Sequence, residues 1–391
     1  MTARSPGEAE LRSLAARHGT PLLVLDCAEL ERRYHSLATA LPGVDLYYAV
    51  KALPDRDVIR TLNALGAGFD VASAGELGLL RTERVDPRRA IHTHPIKKPA
   101  DIRAALRFGC TTFVVDNPAE LEKFLPFRHR VGLLLRIRFR NPGAICDLSR
   151  KFGCSPAEAP TLLARARQLG IPIKGLSFHV GSQSDGAATH ADAIRECAAL
   201  IARERELGSP LSVLDIGGGF PADYADTETD IVEWCAPIAD RLTALPANLE
   251  VIAEPGRYLV APAVTGIFSV VGQAVRDDGR WYYLDDGLYG SFSGQLYDHS
   301  RYPLEVLADG PTSRATLAGP TCDSIDVIAE QIELPVLSIG DLIIGRTMGA
   351  YTAASASDFN ALPRARRVAI NDRRESFETA EFLSTESAES S

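Results

Sequence analysis

A lysine stands near the end of one of the most apolar segments of the chain. The segment LYYAVKAL, residues 46–53, has the composition of a buried strand, and Lys51 adds an ammonium group to it. One interpretation is a side chain that reaches from the strand end into solvent. The other is an amine partly removed from water, which lowers its pKa and allows it to form an imine with a carbonyl cofactor. The other motifs have to distinguish these two roles.

A glycine triplet is the second candidate for chemistry. LDIGGGFP, residues 214–221, follows a predicted strand directly, and its glycines allow the backbone to approach an anion and direct N–H groups towards it. A tight turn is the simpler interpretation. Because the segment matches neither GxGxxG nor a Walker loop, it disfavours a dinucleotide or a nucleoside triphosphate. A small phosphorylated cofactor fits better, since barrel enzymes often bind phosphate with their late βα-loops.

Charged and aromatic groups follow two further apolar runs. In AEPGRYLV, residues 253–260, Glu254 and Arg257 would contribute little as a surface ion pair. As functional groups, Arg257 would bind phosphate through two hydrogen bonds, and Glu254 would hold a proton on a ring nitrogen. In SFHVGSQ, His179 is either a structural hydrogen-bonding residue or a flat ring that lies against an aromatic cofactor, and Ser182 is a small donor.

The second half of the chain contributes a cysteine and isolated acids. Cys322 in GPTCDSIDVI, residues 319–328, is either an inert buried thiol or, with Asp323 beside it in a polar turn, an exposed and reactive one. We predict the exposed thiol. Asp298 in QLYDHS is an isolated acid along the sequence, and Tyr351 is the only tyrosine of MGAYTAASASDFN.

Eight short apolar runs alternate with amphipathic segments, and polar residues follow them. The runs are LYYAVK (46–51), GFDVA (68–72), AIHTH (90–94), TFVVD (112–116), GLLLRI (132–137), GLSFHV (175–180), SVLDI (212–216) and EVIAE (250–254). At or just past their carboxyl ends lie Lys51, Asp70, His94, Asp116, Arg136, His179, Gly217–Gly219 and Glu254. This pattern predicts a closed (β/α)8 barrel, a TIM-like α/β fold, with its chemistry at the carboxyl ends of the strands. An open doubly wound sheet is the alternative, because periodicity does not show closure.

The barrel is predicted to cover residues 30–262. The segment after the sixth run should form a helix with Thr189 as N-cap and Gly208 just past its end. After residue 262, short β-prone pieces replace the helical pattern, and PLLVLD (21–26) could pair with them. We therefore expect a second, β-rich domain from residues 1–29 and 263–372, followed by a disordered acidic tail, residues 373–391.

The composition of the chain limits the classes of molecule that it is expected to bind. The formal net charge of −9 disfavours nucleic acid and anionic membranes and suits a cationic small molecule. No stretch approaches eighteen uninterrupted apolar residues, and the first residues lack the apolar core of a secretory signal. The seven cysteines form no CxxC pair, which predicts a reduced, cytoplasmic protein, and no metal site is expected.

Together these motifs resemble the alanine-racemase-fold, pyridoxal-phosphate-dependent decarboxylases, and within them the ornithine/lysine decarboxylases. The resemblance runs from about residue 20 to about residue 370. It is carried by YYAVK, FDVAS, LLLRIR, FHVGSQ, DIGGGFP, EPGRY, LYDHS, GPTCDSIDVI and MGAYTAA. The cofactor that it implies is pyridoxal 5'-phosphate.

The resemblance also implies a role for each motif residue. Lys51 is the Schiff-base lysine, His179 stacks on the cofactor ring, and Asp70 and Arg136 support the cofactor and Lys51. The phosphate site consists of Ser182, Gly217, Gly218, Gly219, Arg257 and Tyr351. Cys322 reprotonates the substrate carbon, Asp298 and Asp323 hold the distal amine, and Tyr297 and Phe359 complete the substrate site. The family forms homodimers in which Cys322 and Asp323 come from the partner chain.

The acids favour one reaction within this family. Decarboxylation leaves a carbanion, and a protonated ring nitrogen stabilises it; Glu254 favours that proton, whereas the arginine of racemases does not. Asp323 stands where diaminopimelate decarboxylases typically carry glutamate. Ornithine is therefore the expected substrate, with lysine possible because one methylene is worth only about 1–3 kcal/mol of discrimination. A diaminopimelate decarboxylase, a racemase and a non-catalytic binding homologue remain the alternatives.

Overall fold

The computed structural model describes residues 6–209, 211–225 and 228–372. The tail predicted for residues 373–391 lies outside the described residues. The chain divides into two compact units, one drawn from Arg33–Leu259 and the other from the flanking parts, up to Arg32 and from Val260. The barrel limits expected from the sequence, residues 30 and 262, fall beside these division points.

The strands of the described ranges, in chain order, are β1 (Leu22–Asp26), β2 (Val44–Ala49), β3 (Gly68–Val71), β4 (Ala90–His92), β5 (Thr112–Val115), β6 (Gly132–Ile137), β7 (Ala144–Cys146), β8 (Ile173–Phe178), β9 (Ser182–Ser184), β10 (Val213–Asp215), β11 (Glu250–Ala253), β12 (Val264–Arg276), β13 (Gly279–Leu284), β14 (Leu304–Val306), β15 (Thr312–Ala318), β16 (Val327–Pro335), β17 (Leu342–Gly345) and β18 (Arg366–Ile370).

The helices of the same ranges are α1 (Glu8–His18), α2 (Cys27–Ala40), α3 (Arg56–Ala64), α4 (Ala74–Thr82), α5 (Pro99–Phe108), α6 (Pro118–Glu122), α7 (Ala159–Leu169), α8 (Ala188–Glu206), α9 (Ile231–Leu242), α10 (Arg257–Val260) and α11 (Gly294–Tyr297). Short 3-10 turns cover Val50–Ala52, Pro87–Arg89, Leu125–Phe127 and Phe359–Ala361. None of the described helices combines the length and the apolar character needed to cross a lipid bilayer.

The unit from Arg33 to Leu259 is a closed parallel barrel. Its strands follow the order β2-β3-β4-β5-β6-β8-β10-β11, and β11 returns to β2 with Val251 opposite Val44. This closure excludes the open sheet and confirms the predicted fold class, and each of the eight predicted runs overlaps one barrel strand. Five of its strands contribute to one buried apolar cluster, which contains Ile91, Val114, Leu134, Val213 and Ile252.

Every barrel strand except β6 ends before the last residue of its apolar run. β2 stops at Ala49, and Lys51 lies in the 3-10 turn that follows it. The helices between the strands begin at polar caps, for example α3, where the Asp55 carboxylate accepts from the amides of Asp57 and Val58. The predicted cap of α8 is wrong: the N-cap is Ala187, and the Thr189 hydroxyl donates to Asn141 instead.

The second unit is built around a mixed β-sheet. One path through the sheet is β14-β17-β12-β13-β15-β16, and β1 pairs antiparallel with β12 and parallel with β18. The strand PLLVLD therefore joins the later strands as predicted. Leu11 and Leu14 from α1 pack with Leu22, Ile267 and Ile344 in the core of this unit. The β-rich second domain is thus confirmed.

Candidate active site

Lys51 forms an ion pair at the carboxyl end of the barrel. Its Nζ donates to the Asp70 carboxylate at 2.7 Å, and the other oxygen of Asp70 accepts from the Thr93 hydroxyl. The pair forms because β2 and β3 are in parallel register, with Ala49 opposite Asp70. The amine is therefore held against the barrel end by a fixed carboxylate rather than extended into solvent.

Glu254 lies in the same barrel end, in contact with a second acid. Glu254 follows β11, and Asp215 is the last residue of β10; both side chains are buried, and their carboxyl groups share a hydrogen bond. Burial raises the pKa of Glu254 well above its usual range, and the neighbouring Asp215 charge raises it further. Two buried carboxyl groups in contact do not both ionise, so the pair retains a proton.

His179 is a neutral ring at the end of β8. Its Nδ1 accepts from the Gly181 amide at 3.0 Å, so the neutral ring carries its proton on Nε2. Desolvation lowers the pKa of His179 well below its usual value, and the Arg136 and Lys51 charges lower it further. The residue as a whole is half-buried. An uncharged flat ring is suited to stacking on an aromatic cofactor.

Arg136 contributes positive charge to the same region. It lies in β6, its side chain is buried, and its guanidinium is 5.4 Å from the centre of the Phe152 ring. The structure thus brings Lys51, Asp70, Arg136, His179 and Glu254 to the carboxyl end of one barrel.

The glycine turn has no room for side chains. Gly217 and Gly219 have φ values of +67° and +107°, which other residues rarely adopt. A Cβ on Gly218 would lie 2.7 Å from the Glu254 carbonyl oxygen, one on Gly219 would lie 2.6 Å from that of Gly181, and one on Gly217 would collide with the Phe178 carbonyl. The close backbone packing and the positive φ angles are those of an anion-binding turn, so these residues fit the phosphate of the expected cofactor.

Two of the expected phosphate residues meet beside this turn. Arg257 begins α10, its guanidinium is buried, and its Nη2 donates to the Ser182 hydroxyl at 3.0 Å. Its Nη1 donates to the hydroxyl of Tyr224 at 2.8 Å. Tyr224 was missed from the sequence, although it follows the glycine turn closely enough to have been considered with it.

A buried histidine supports the glycine turn from behind. His190 of α8 is fully buried among the rings of Phe178, Phe220 and Trp234, and its Nε2 lies 3.0 Å from the Gly218 carbonyl oxygen. Burial lowers the pKa of His190 to about 4. The neutral ring therefore donates from Nε2 to Gly218. No sequence pattern indicates this role, because His190 falls within an ordinary amphipathic helix.

The β-rich unit brings Cys322, Asp323 and Phe359 together. Cys322 is exposed; the Asn360 amide donates to its Sγ at 3.4 Å and accepts from its backbone N–H at 3.1 Å. The Tyr289 hydroxyl donates to Asp323, and the Tyr289 ring stacks on Phe359 with centroids 4.4 Å apart. The hydrogen bond from Tyr289 lowers the pKa of Asp323. Tyr289 and Asn360 are further additions to the sequence-based set.

The remaining candidates of this unit lie around α11 and in the later Gly/Ala-rich stretch. Asp298 is buried at the end of α11 and accepts from the Ser300 hydroxyl at 3.0 Å, so Asp298 and Asp323 have separate hydrogen-bond partners. Tyr297 is 67% exposed. Tyr351 has a φ of 55°, and its carbonyl accepts from Ser355 at 2.8 Å.

Comparison with known proteins identifies relatives of this chain. Residues 27–261 match the model of the pyridoxal-dependent decarboxylase family, pyridoxal binding domain. The lysine/ornithine decarboxylase of Selenomonas ruminantium is 37% identical over 369 residues, which cover 94% of both chains.

Solved structures of decarboxylases are also similar to this chain. The lysine/ornithine decarboxylase of Vibrio vulnificus complexed with cadaverine is 50% identical, with a TM-score of 0.90 over 94% of this chain and 100% of that one. The structure of the Vibrio vulnificus enzyme complexed with putrescine has a TM-score of 0.89 over 93% and 99% of the two chains, also at 50% identity.

Proposed function

Since this chain belongs to the pyridoxal-dependent decarboxylases, we propose that it removes the α-carboxylate of L-ornithine, and less efficiently that of L-lysine, to give putrescine or cadaverine and carbon dioxide. Decarboxylation of a basic amino acid with pyridoxal phosphate follows from the relatives. The finer choice of substrate rests chiefly on Asp323, an ionised carboxylate beside an exposed thiol, which suits the ammonium at the far end of a diamino acid.

The barrel residues are assigned to the cofactor. The phosphate would be held by Arg257, Ser182 and the turn Gly217–Gly219, with Tyr351 from the β-rich unit as in the resemblance. The bound cofactor supplies an electron sink for the pair of electrons left at the α-carbon when the carboxylate departs. Lys51 would be the amine that anchors the cofactor, and Asp70 holds that amine at the barrel end.

Two barrel side chains would act on the cofactor ring. The neutral His179 presents a flat surface without adding a charge that would compete for the ring electrons. Glu254 holds a proton at the position of the ring nitrogen, because its burial and the Asp215 carboxylate keep that proton on the acid pair. An acid of this kind favours carbanion stabilisation and so supports decarboxylation over racemisation.

The β-rich residues are assigned to the substrate. The Sγ–H of Cys322 would deliver the proton that replaces the carboxylate on the α-carbon, with Asn360 orienting the sulfur. Asp323 and Asp298 would hold the distal ammonium, while Tyr297 and Phe359 line the substrate site. As in the resemblance, we propose a homodimer in which Cys322 and Asp323 of one copy complete the barrel site of the other.

Relatives whose structures contain cadaverine and putrescine support both substrates. Ornithine and lysine differ by one methylene, which is worth about 1–3 kcal/mol in an apolar pocket. We therefore expect kcat/KM for ornithine to exceed that for lysine by about tenfold to a hundredfold. Diaminopimelate carries a second carboxylate, which Asp323 would repel, so it should be a poor substrate.

A decarboxylation screen tests this proposal. The holoenzyme is assayed for carbon dioxide release from ornithine, lysine, arginine, meso-diaminopimelate and diaminobutyrate, with chiral analysis of the recovered substrate and with Lys51→Ala as the inactive control. Release from ornithine and lysine without racemisation is expected. Release from diaminopimelate alone, racemisation without release, or a fully active Lys51→Ala variant would contradict the proposal.

A further inference from the structure

Asp215 is the most completely enclosed acid of the barrel end. Its side chain has no solvent exposure, its Oδ1 accepts from the Gly217 amide at 2.9 Å, and its Oδ2 accepts from the Ser177 hydroxyl at 3.1 Å. The strand register explains this placement, because Asp215 of β10 lies opposite Ser177 of β8. The backbone of Gly217 also accepts from the Glu254 amide at 2.7 Å, which ties the two acids to the same turn.

The two donors favour an ionised Asp215. A peptide N–H only donates, so the Gly217 amide requires an acceptor, and the Ser177 hydroxyl supplies a second hydrogen bond. Glu254 is also buried, and it receives no comparable set of donors among the described hydrogen bonds. The Asp70 charge raises the pKa of both acids, and the Lys51 charge offsets this only in part at Glu254. The shared proton is therefore held on the Glu254 side of the acid pair.

We propose that Asp215 is the positioning residue that keeps a proton on Glu254 and passes its own negative charge through Glu254 to the cofactor ring nitrogen. The proposal rests on the proposed cofactor-binding role of Glu254. When that proton moves, the O–H bond of Glu254 breaks and an N–H bond forms at the ring nitrogen, leaving two carboxylates beside one cation. Asp215 thereby makes the ring nitrogen more basic than Glu254 would alone.

Asp215→Asn removes the charge and keeps the shape and the acceptor for Gly217. Binding is measured for pyridoxal phosphate and for an analogue in which a C–H group replaces the ring nitrogen, using the purified apoprotein. We expect the preference of the native protein for pyridoxal phosphate over the analogue to fall about tenfold, since a tenfold change corresponds to one unit of ring-nitrogen pKa. A merely structural role would weaken both ligands equally.

A second readout is nitrogen NMR of the cofactor labelled at its ring nitrogen. In the native holoenzyme the ring nitrogen should give the signal of a protonated pyridine, and in the Asp215→Asn variant the signal should move towards the unprotonated form. An unchanged binding preference together with an unchanged nitrogen signal would overturn the proposal.

Ser177→Ala is the milder companion variant. It removes one donor from Asp215 and leaves the charge in place, so the binding preference should fall in the same direction by about twofold to threefold. If Asp215→Asn does not fold, as judged by circular dichroism of the apoprotein, Ser177→Ala decides the question alone, and an unchanged preference refutes the role of Asp215. Neither the binding measurement nor the NMR measurement needs a substrate, so both remain interpretable even if no diamino acid is decarboxylated.

Discussion

The Lys51 amine and the Asp70 carboxylate are joined by a 2.7 Å hydrogen bond between groups of very different accessibility. The Lys51 side chain keeps 39% of its surface exposed, whereas that of Asp70 keeps 1%. The carboxylate is also fixed by the Thr93 hydroxyl. The acid is thus a rigid part of the barrel, and the amine is the member of the pair that can move.

Asp70→Asn should weaken the hydrogen bond with Lys51 without changing the shape of the side chain. A hydrogen bond to a charged acceptor is worth about 1 kcal/mol more than a neutral one, so we expect the free energy of unfolding of the apoprotein to fall by about that amount. Urea denaturation monitored by circular dichroism measures the change. Thr93→Val, which removes only the supporting hydroxyl, should cost less; equal stability of Asp70→Asn and native protein would contradict the prediction.

Tyr224→Phe tests whether the Tyr224 hydroxyl supports the proposed phosphate site. The Phe variant loses the hydroxyl that accepts from Arg257 and keeps the aromatic ring 5.8 Å from the guanidinium carbon. Because the hydroxyl positions Arg257, the dissociation constant of pyridoxal phosphate should rise by about tenfold. The affinity for pyridoxal, which lacks the phosphate, should stay the same. Equal weakening of both ligands would instead indicate a general defect of the barrel.

The burial of His190 should make the stability of the protein depend on pH. Burial lowers the pKa of His190 to about 4 in the folded protein, whereas an unfolded imidazole titrates near about 6.5. Between these values the unfolded chain binds a proton that the folded chain does not, so the free energy of unfolding falls as the pH drops. The loss through this window is on the order of 3 kcal/mol for such a histidine.

His190→Gln should reduce this acid destabilisation. The variant keeps a donor for the Gly218 carbonyl and removes the titrating ring, so its unfolding free energy should vary less between pH 6.5 and pH 4.5. His92, whose pKa burial also lowers to about 4, remains and preserves part of the slope. His35→Gln, at an exposed position, is the matched control for the substitution itself. An equal slope in His190→Gln and native protein would refute the assignment.

Tyr289→Phe tests the proposed role of Asp323 in binding the substrate. It removes the hydrogen bond that lowers the pKa of Asp323 and fixes its carboxylate, and it keeps the stacking on Phe359. We expect KM for ornithine to rise by about threefold to tenfold, because the acid loses its orientation before it meets the ammonium. The value of kcat should change little. Steady-state kinetics decide between this result and a loss confined to kcat, which would place Tyr289 in the chemical step.

The sequence predicted those site residues that stand at the carboxyl ends of apolar runs. Lys51, Asp70, Arg136, His179 and Glu254 were found in this way, because a parallel barrel collects all such ends on one face. Their position on one face of the barrel follows from the parallel order of the strands. No knowledge of individual side-chain partners was needed.

The residues that were missed have partners set by register or by loop conformation. Asp215 stands within the quoted glycine motif, but its contact with Ser177 exists only because β8 and β10 are neighbours in the closed barrel. Tyr289 meets Asp323, and Asn360 meets Cys322, through loops whose course no local pattern encodes. The predicted cap of α8 is wrong because the helix begins at Ala188, so Thr189 lies inside it and its hydroxyl donates to Asn141.

The pairing of β1 determines the order in which the protein can be assembled during synthesis. β1 leaves the ribosome before any barrel strand, yet its partners β12 and β18 are translated only after the barrel is complete. All five residues of Leu22–Asp26 are buried in the finished sheet. The nascent chain must therefore carry an unpaired apolar strand while roughly two hundred residues emerge, a state that invites aggregation or chaperone capture. Completion of the sheet awaits the last strand, so a chain truncated before β18 would leave one edge of β1 open.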